Sequence, residues 1–419
     1  MTVREKYKLS AIKTEIEKFN ALIDAGLFDK AVKYFREQLE KPTLFGLETS
    51  LVRANLLEKI EIEKLSETTD KTFVLYALAL SLNLTGGYPN RAISLYEKHD
   101  ELAEKLGDFK SLAQSLGHHA KALRQVGRFR ESEAIARKGL KIIREKNDFL
   151  REAVNLYWLG MGLAHRGEAE LSETALQRSL RIFRAKFATQ AEGVVNAFLA
   201  QRALWLGFYD EALRTANRAL EIGEALEKDE NHADLHGAVK ILTAAARMKG
   251  EAFGIHALAC NRQRSAAVLP PEGGTQNLLY ALRRAREIEF VEEELPALRA
   301  LALFEMRRGN FQKSRNYLEQ SWELAERGEF LLYNADSYNI LAQIELAENN
   351  LESATEAARK AFDLSVCDGV PFAYRRGLED ATSVLKILNA AVPEVPVCDE
   401  TRFEKMPEIE INPDDEFGN

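Results

Sequence analysis

The sequence is poor in cysteine and proline and contains no long apolar run. Among its 419 residues are ten prolines and three widely separated cysteines, Cys260, Cys367 and Cys398. So few and so distant cysteines exclude a disulfide framework and favour a reducing compartment. No apolar run approaches the roughly 20 residues that span a bilayer, and the N-terminus has no apolar core of the secretory type. These absences predict a soluble protein of the cytoplasm.

The sequence also lacks an excess of positive charge. The formal net charge is −8 and the pI is about 5.7, which argues against a partner among nucleic acids or anionic membranes. One basic cluster lies between Arg262 and Arg286, but Glu287 and Glu289 follow it closely. The cluster is therefore interpreted as a solvated helix face.

Residue patterns that carry catalysis are missing as well. His232 and His236 stand one helical turn apart, but no third ligand accompanies them, so a metal site is not expected. Gly273-Gly274-Thr275 lacks the strand and lysine of a phosphate-binding loop. No cysteine pair has metal-binding spacing and no serine occupies a nucleophile turn. The sequence predicts a protein without cofactor or metal that is not an enzyme.

What the chain does contain is a repeat of 40 residues. Turn residues recur at this interval, at Gly87, Gly127, Gly167 and Gly207, and again at Gly309 and Asn349. Apolar residues between them recur every three or four positions, as a buried helical stripe requires. Glycine or asparagine permits the left-handed backbone that ends a helix. Each unit is therefore predicted to be helix, tight turn, helix.

Small residues stand at a constant distance after each turn. The first such column lies five positions after the turn and consists of Ala92, Ser132, Ser172, Ala212, Ser314 and Ala354. Small side chains let helix axes approach closely, so we expect the two helices of each unit to touch here.

The pattern G-x-[FY]-x-x-A, with a small residue such as Gly160 or Ala200 in the preceding helix, resembles the tetratricopeptide repeat (TPR). The period is longer than the usual ~34 residues and resembles extended repeats in sensor arms of bacterial signalling ATPases. Residues 73–108 and 367–380 look like the C-terminal repeat region of STAND-type NTPases, relatives of NOD-like receptors. The resemblance implies an all-α, right-handed α-α superhelix of about seven to eight helix pairs.

Two intervals depart from the period. Gly26 to Gly87 spans 61 residues and Gly250 to Gly309 spans 59, so each interval has room for an extra helix, near 46–60 and 275–289. Four segments follow: an N-terminal cap and first repeat (1–70), a regular superhelix (71–268), C-terminal repeats with a capping helix (269–391), and a mobile acidic tail (392–419).

The resemblance implies that the first helix of each pair lines a concave groove. In that position Tyr157, Met161 and His165 form one stripe at four-residue spacing. With the equivalent and neighbouring positions, the candidate ligand-binding residues are Gln114, Lys121, Arg124, Tyr157, Met161, His165, Gln201, Trp205, Lys240 and Arg247. Aromatic and cationic side chains suit a protein segment, a peptide or a small anionic ligand. The alternative is that the aromatic residues are core and the cations coat a wet groove.

Two functions remain open. The first is the sensor or regulatory arm of a STAND-type signalling or antiphage defence system, with an effector or NTPase as partner. The chain contains no Gly-Lys-Ser or Gly-Lys-Thr, so the ATPase activity of that class does not carry over. The second is a stand-alone peptide receptor, or a scaffold or co-chaperone. In both, the chain binds and senses a ligand.

Overall fold

The computed structural model describes residues 2–47, 49–84, 87–261 and 272–412. Helices dominate this part of the chain, and it holds no β-strand beyond one isolated bridge between Val370 and Val397. The helices stack as antiparallel pairs into a TPR-like superhelix. The predicted all-α repeat fold is confirmed.

Seven regular pairs make up the stack within the described residues. Their first helices are α6 (Thr68–Leu84), α8 (Phe109–Gln125), α10 (Phe149–Arg166), α12 (Thr189–Leu206), α14 (Leu235–Asn261), α16 (Val291–Arg307) and α18 (Leu331–Ala347). Their second helices are α7 (Pro89–Leu106), α9 (Phe129–Glu145), α11 (Ala169–Ala185), α13 (Tyr209–Lys228), α15 (Glu272–Glu287), α17 (Phe311–Gly328) and α19 (Leu351–Val366). A final helix, α20 (Arg375–Ile387), packs on the last pair.

The N-terminal region forms an irregular eighth pair. Helices α1 (Val3–Lys6) and α2 (Leu9–Asp24) precede α3 (Phe28–Tyr34), which continues through the π-helical segment Phe35–Leu39 into α4 (Glu40–Phe45). A short helix, α5 (Ser50–Leu57), then packs against α6. It lies where the sequence predicted an extra helix near 46–60.

The turns inside the pairs have the predicted backbone. Gly127, Gly167 and Gly207 have φ values of +81°, +84° and +79°, and Asn349 has +63°. Glycine adopts this left-handed region without a steric penalty, and asparagine tolerates it better than most residues. The 40-residue recurrence of these residues therefore marks the points where the chain reverses.

The serines of the small-residue column bond across each pair. Ser132 Oγ donates to the carbonyl oxygen of Ala120 at 2.7 Å, and Ser172 Oγ to that of Gly160 at 2.8 Å. Close approach is needed here: a Cβ added at Gly160 would lie 2.9 Å from Leu176 Cγ. Small side chains thus bring the helix axes together, and the bonds satisfy the buried hydroxyl groups.

The prediction of a second extra helix near 275–289, outside the regular pairs, was wrong. A helix does cover most of this range, but this helix, α15 (Glu272–Glu287), is the regular partner of α14. Gly250 is not a turn, because it lies inside α14, where an added Cβ would stand 2.8 Å from Leu278 Cγ. Glycine serves close helix packing there, which sequence spacing does not distinguish from a turn. The pairing also runs across the predicted segment boundary at 268–269.

The structure also differs from the prediction of a mobile tail over 392–419. Residues 392–412 follow a defined path over the helices, with Cys398 buried and a 3-10 turn at Glu400–Arg402. Val370 N donates to Pro396 O at 2.9 Å, and Cys398 N to Val370 O at 2.8 Å. The acidic, weakly apolar composition predicted mobility because such a tail cannot form a core of its own. The tail is instead held by packing against the core of the superhelix. Residues 413–419 lie outside the described chain.

The superhelix closes on itself. A Cβ at Gly87 would lie 3.2 Å from Phe330, and one at Gly127 would lie 2.6 Å from Leu331. Phe129 shares a core cluster with Phe372. Between the first helices themselves, Lys121 of α8 lies 2.5 Å from Glu292 of α16, so the early and late pairs face each other across a narrow interior. Among the described helices, none has the length and apolarity needed to cross a membrane.

Candidate ligand-binding site

A cavity of about 60 Å³ lies in the closed interior. Its walls come from six first helices, α8, α10, α12, α14, α16 and α18, and from Tyr374 at the start of α20. The lining residues are Arg124, Met161, His165, Phe198, Gln201, Trp205, Arg247, Met248, Glu292, Glu293, Pro296, Arg299, Leu332, Tyr333, Asp336 and Tyr374. We call this space the inner cavity.

Six of the ten candidate residues line the inner cavity: Arg124, Met161, His165, Gln201, Trp205 and Arg247. Lys121 forms an ion pair with the lining residue Glu292, and the charges of Lys121 and Glu292 both act on the pKa of Lys240. Gln114 and Tyr157 lie outside the inner cavity. Gln114 Nε2 donates to the Tyr76 hydroxyl at 3.0 Å, and Tyr157 packs among other aromatic rings at 4.7–6.3 Å.

The candidate residues share one space, but it is not the open channel that the groove hypothesis requires. Lys121 is 2 % exposed, Arg124 6 % and Gln201 5 %. Helices α16 and α18 cover them, so the stripe contacts the protein's own opposite wall. Sequence periodicity identifies the helix face but carries no information on how tightly the superhelix coils.

One side of the inner cavity is cationic. Lys121 Nζ lies 2.5 Å from Glu292 Oε2, and Arg124 Nη2 lies 3.8 Å from Glu292 Oε1. Both cations also make cation–π contacts with Trp158: Lys121 Nζ lies 5.2 Å and the Arg124 guanidinium carbon 6.0 Å from the ring centroid. Two cations and an aromatic ring thus hold one carboxylate, an arrangement that suits any carboxylate presented at that point.

Lys240 adds a third cation to this side. Its Nζ lies 4.8 Å from the centroid of the Phe290 ring. Burial, together with the charge of Lys121, lowers the pKa of Lys240 to about 7. Near pH 7 the Lys240 amine is therefore only partly protonated, and it adds a titratable charge near the Lys121–Glu292 pair.

The other side is a chain of buried ion pairs. Arg247 Nε lies 2.7 Å from Glu293 Oε2, and Arg247 Nη1 lies 2.6 Å from Glu251 Oε1. Arg299 extends the chain: its Nη2 lies 3.4 Å from Glu251 Oε2 and its Nη1 lies 2.6 Å from Asp336 Oδ2. Burial acts to raise the pKa of the Glu251 carboxyl, but Arg299 and Arg247 outweigh it and lower that pKa. These contacts join three carboxylates to two guanidinium groups. Burial raises the pKa of the Glu293 carboxyl, and the charge of Arg376 also acts on Glu251.

Neutral rings separate the two sides. The His165 ring meets the edge of Trp205 at 4.5 Å between centroids, and Tyr374 lies 5.7 Å away. Burial and the nearby charge of Arg124 hold the pKa of His165 well below its usual range. His165 therefore stays neutral and donates from Nδ1 to Met161 O at 2.7 Å.

Several donors in this wall have no hydrogen-bond partner within the described chain. They are Trp205 Nε1, Gln201 Nε2, Arg124 Nε and Arg299 Nε, all shielded from solvent. A buried donor without a partner costs free energy comparable to a lost hydrogen bond. The inner cavity thus offers unused hydrogen-bonding capacity to a ligand.

The opposite wall was missed from the sequence: Glu292, Glu293, Arg299, Asp336 and Tyr374. One signal was present. Arg299 stands ten residues before the turn at Gly309, just as Tyr157 stands ten before Gly167. Counting back from each turn places Arg299 in the same column as Tyr157, although Tyr157 itself lies outside the inner cavity.

Comparison with solved structures identifies the architecture. A Rap protein complexed with competence and sporulation factor matches 91 % of this chain and 97 % of its own, at 13 % identity and TM-score 0.52. The Rap conjugation gene regulator of plasmid pLS20, in complex with the Phr* peptide, matches 89 % and 97 %, at 14 % identity and TM-score 0.56. No protein-family model and no curated protein matches the chain. At these identities the match shows the fold alone.

The fold and the inner cavity define the class: this is a TPR-like superhelical repeat protein whose first helices line a charged, aromatic interior. The predicted tetratricopeptide resemblance is confirmed as a fold. Nothing in the comparisons connects the chain to STAND NTPases.

Proposed function

We propose that this chain is a peptide-binding regulatory protein whose ligand enters the inner cavity by parting the two walls of the superhelix. The observation that carries the proposal is the inner cavity itself. Six residues chosen from the 40-residue period line it, together with unpartnered buried donors. The two solved structures of similar fold carry a peptide and a factor named in their complexes, which supports a ligand of this kind.

The ligand must open the structure. Sites for small ligands measure roughly 300–1,000 Å³, whereas the inner cavity measures about 60 Å³. The walls are joined by the Lys121–Glu292 ion pair, and Arg124 lies 3.8 Å from the same carboxylate. A peptide that satisfies Lys121 in place of Glu292 binds only the open form. Such a ligand shifts a two-state equilibrium by its differential affinity, as regulation requires.

The charge distribution favours a peptide over a simple anion. Lys121, Arg124 and Lys240 stand on one side of His165 and Trp205, and a chain of buried ion pairs that includes the carboxylates of Glu251 and Asp336 stands on the other. A ligand with a carboxylate at one end, a basic group at the other and an apolar middle complements this order. A protein segment with the same groups satisfies it equally.

Of the two functions left open by the sequence, we favour the peptide receptor or scaffold. Both solved structures described above are named as complexes with a factor or a peptide, and no observation favours the STAND sensor arm. The proposal is for a binding protein rather than an enzyme. Its location in the cytoplasm stays a prediction.

The test is selection from a random heptapeptide library on the immobilised full chain, followed by isothermal titration of the selected peptides. Trp205→Ala removes the ring that separates the two charged sides. We expect it to weaken binding by about 2 kcal/mol, roughly 30-fold, as for an aromatic hot spot. Lys121→Ala breaks a buried ion pair, so it should mainly raise the dissociation rate of the peptide and also lower the stability of the closed form.

Trp322→Ala is the matched control, because Trp322 is another half-buried tryptophan, on the second helix α17 outside the inner cavity. It should leave the affinity unchanged. Equal peptide affinities for the Trp205→Ala variant and the wild-type chain would show that Trp205 is only core, and the inner cavity would lose its anchor.

A further inference from the structure

A second surface, on the second helices α9 and α11, carries the last described part of the chain in extended form. Along residues 407–412 the side chains alternate: Ile409 and Ile411 are half-buried, whereas Glu408 and Glu410 are exposed. Both isoleucines pack against the hydrophobic cluster of this surface. A period of two is that of an extended strand laid on an apolar face.

Four arginines of this surface donate hydrogen bonds to main-chain carbonyl oxygens of the segment. The bonds, each from an Nη atom, are Arg130 to Glu404 (2.9 Å), Arg137 to Ile409 (3.4 Å), Arg144 to Glu410 (2.6 Å) and Arg178 to Asn412 (2.8 Å). Every residue has a carbonyl oxygen, so these bonds recognise an extended main chain rather than one sequence. We call this surface the arginine groove.

A buried carboxylate prepares the arginine groove. Glu152 is 2 % exposed, and its Oε1 lies 3.0 Å from Arg144 Nε and 3.1 Å from Arg178 Nε. These charge-assisted bonds hold both guanidinium groups in place while their Nη atoms reach the segment. Fixing long side chains beforehand reduces the entropy lost when a strand binds.

The same arrangement recurs one repeat further along. Glu192 Oε1 lies 3.1 Å from Arg184 Nε and 3.3 Å from Arg218 Nη2. The side chains of Arg184 and Arg218 are 53 % and 46 % exposed, whereas that of Arg178 is 5 % exposed. The arginine groove thus extends beyond the contacts described for the segment and matches a longer strand.

We propose that the arginine groove is a docking site for an extended segment of a partner protein in which apolar and acidic residues alternate. Residues 403–412 fill it in cis until such a segment displaces them. Net charge complementarity carries this assignment: residues 403–412 contain three glutamates and one lysine, they lie on a surface of four arginines, and just before them Glu400 Oε2 lies 2.6 Å from Arg130 Nε. The four arginines are not among the residues that line the inner cavity, so this proposal stands apart from the peptide receptor.

Because residues 403–412 of the same chain occupy the arginine groove, docking of a partner is selective. A tethered segment competes at an effective concentration in the millimolar range, so only a partner that binds more strongly than the segment replaces it. The segment therefore acts as a threshold for partner binding.

The experiment uses the full chain and a fluorescein-labelled synthetic peptide of residues 403–412, measured by fluorescence anisotropy. Ile409→Asp with Ile411→Asp should free the arginine groove, because buried carboxylates oppose packing on the apolar face. We expect the labelled peptide to bind this released variant at least about 10-fold more tightly than the wild-type chain.

Adding Arg137→Gln and Arg144→Gln to the released variant should weaken peptide binding roughly 10-fold or more, since two carbonyl bonds are lost. Adding Arg218→Gln instead is the matched control and should change it less than ~2-fold, because the peptide ends at Asn412. Equal affinity for the released and wild-type chains, or for the released chain with and without Arg137 and Arg144, overturns the proposal.

A measurement on the wild-type chain guards against misfolded variants. Excess unlabelled peptide should accelerate hydrogen exchange of the amides of residues 403–412, as the tethered segment is displaced. Unchanged exchange at millimolar peptide would mean that the segment is a permanent part of the fold. A wild-type dimer in sedimentation that Arg137→Gln with Arg144→Gln abolishes would assign the arginine groove to a second copy and overturn the partner assignment.

Discussion

The inner cavity and the arginine groove both use arginine, but in different ways. In the inner cavity, Arg247 and Arg299 pair with carboxylates of side chains that are themselves buried. In the arginine groove, Arg137 and Arg144 bind main-chain carbonyl oxygens of an extended segment. The first arrangement depends on the identity of every partner. The second depends only on the path of a backbone.

This difference has energetic consequences. Removing one member of a buried ion pair leaves an uncompensated charge in a medium of low polarity, which is costly. Removing one donor from a half-exposed carbonyl leaves an oxygen that water can reach. The inner cavity should therefore respond globally to substitution and the arginine groove locally.

The largest effect is expected from Arg299→Met. It leaves Asp336 and Glu251 without their shared guanidinium group, and the free energy of unfolding should fall by about 3–5 kcal/mol. Arg327→Met is the matched control, since Arg327 pairs with Glu323 on an exposed helix face and should contribute ~0–1 kcal/mol. Urea denaturation measures both. Equal losses for the two variants would erase the difference between the inner cavity and an ordinary surface.

An intermediate effect is expected from Lys240→Met. The pKa of Lys240 is lowered to about 7 in the folded chain, against about 10.4 in the unfolded chain. Between these values the unfolded chain binds more protons, so stability rises with pH, and below pH 7 the folded chain carries the full cost of the charge. Lys240→Met should add about 1–3 kcal/mol at pH 6.5 and progressively less towards pH 9.5.

The comparison for that variant is Lys105→Met, on an exposed helix end, measured by urea denaturation over the same pH range. A constant difference between Lys240→Met and the wild-type chain from pH 6.5 to 9.5 would show that the Lys240 amine titrates normally.

The smallest effect on the whole fold is expected from Arg144→Met. Its bond to Glu410 O is lost, and buried Glu152 keeps only Arg178 of its two guanidinium partners. We therefore expect the free energy of unfolding to fall by about 1–2 kcal/mol. Amide exchange in residues 403–412 should nevertheless accelerate, whereas exchange in α8 and α10 should not. Uniform acceleration over all helices would contradict local control by the arginine groove.

Much of the architecture was readable from local chemistry. The turns at Gly127, Gly167 and Gly207 need a left-handed backbone, and Ser132 and Ser172 need both small size and a nearby carbonyl. These requirements act within one repeat, so the 40-residue period exposes them. Gly250 shows the limit of this reasoning, because a packing glycine and a turn glycine look alike in one sequence.

The sequence by itself determined the all-helical repeat, the face of the first helices and the residue types on it. Only the tertiary structure decided that Glu292 and Asp336 close that face, and that residues 392–412 lie on the second helices instead of moving freely. The physical reason is separation along the chain. Helix periodicity is set by neighbours a few residues apart, whereas the coil of the superhelix and the path of the tail depend on contacts between residues more than 150 positions apart, such as Lys121 with Glu292.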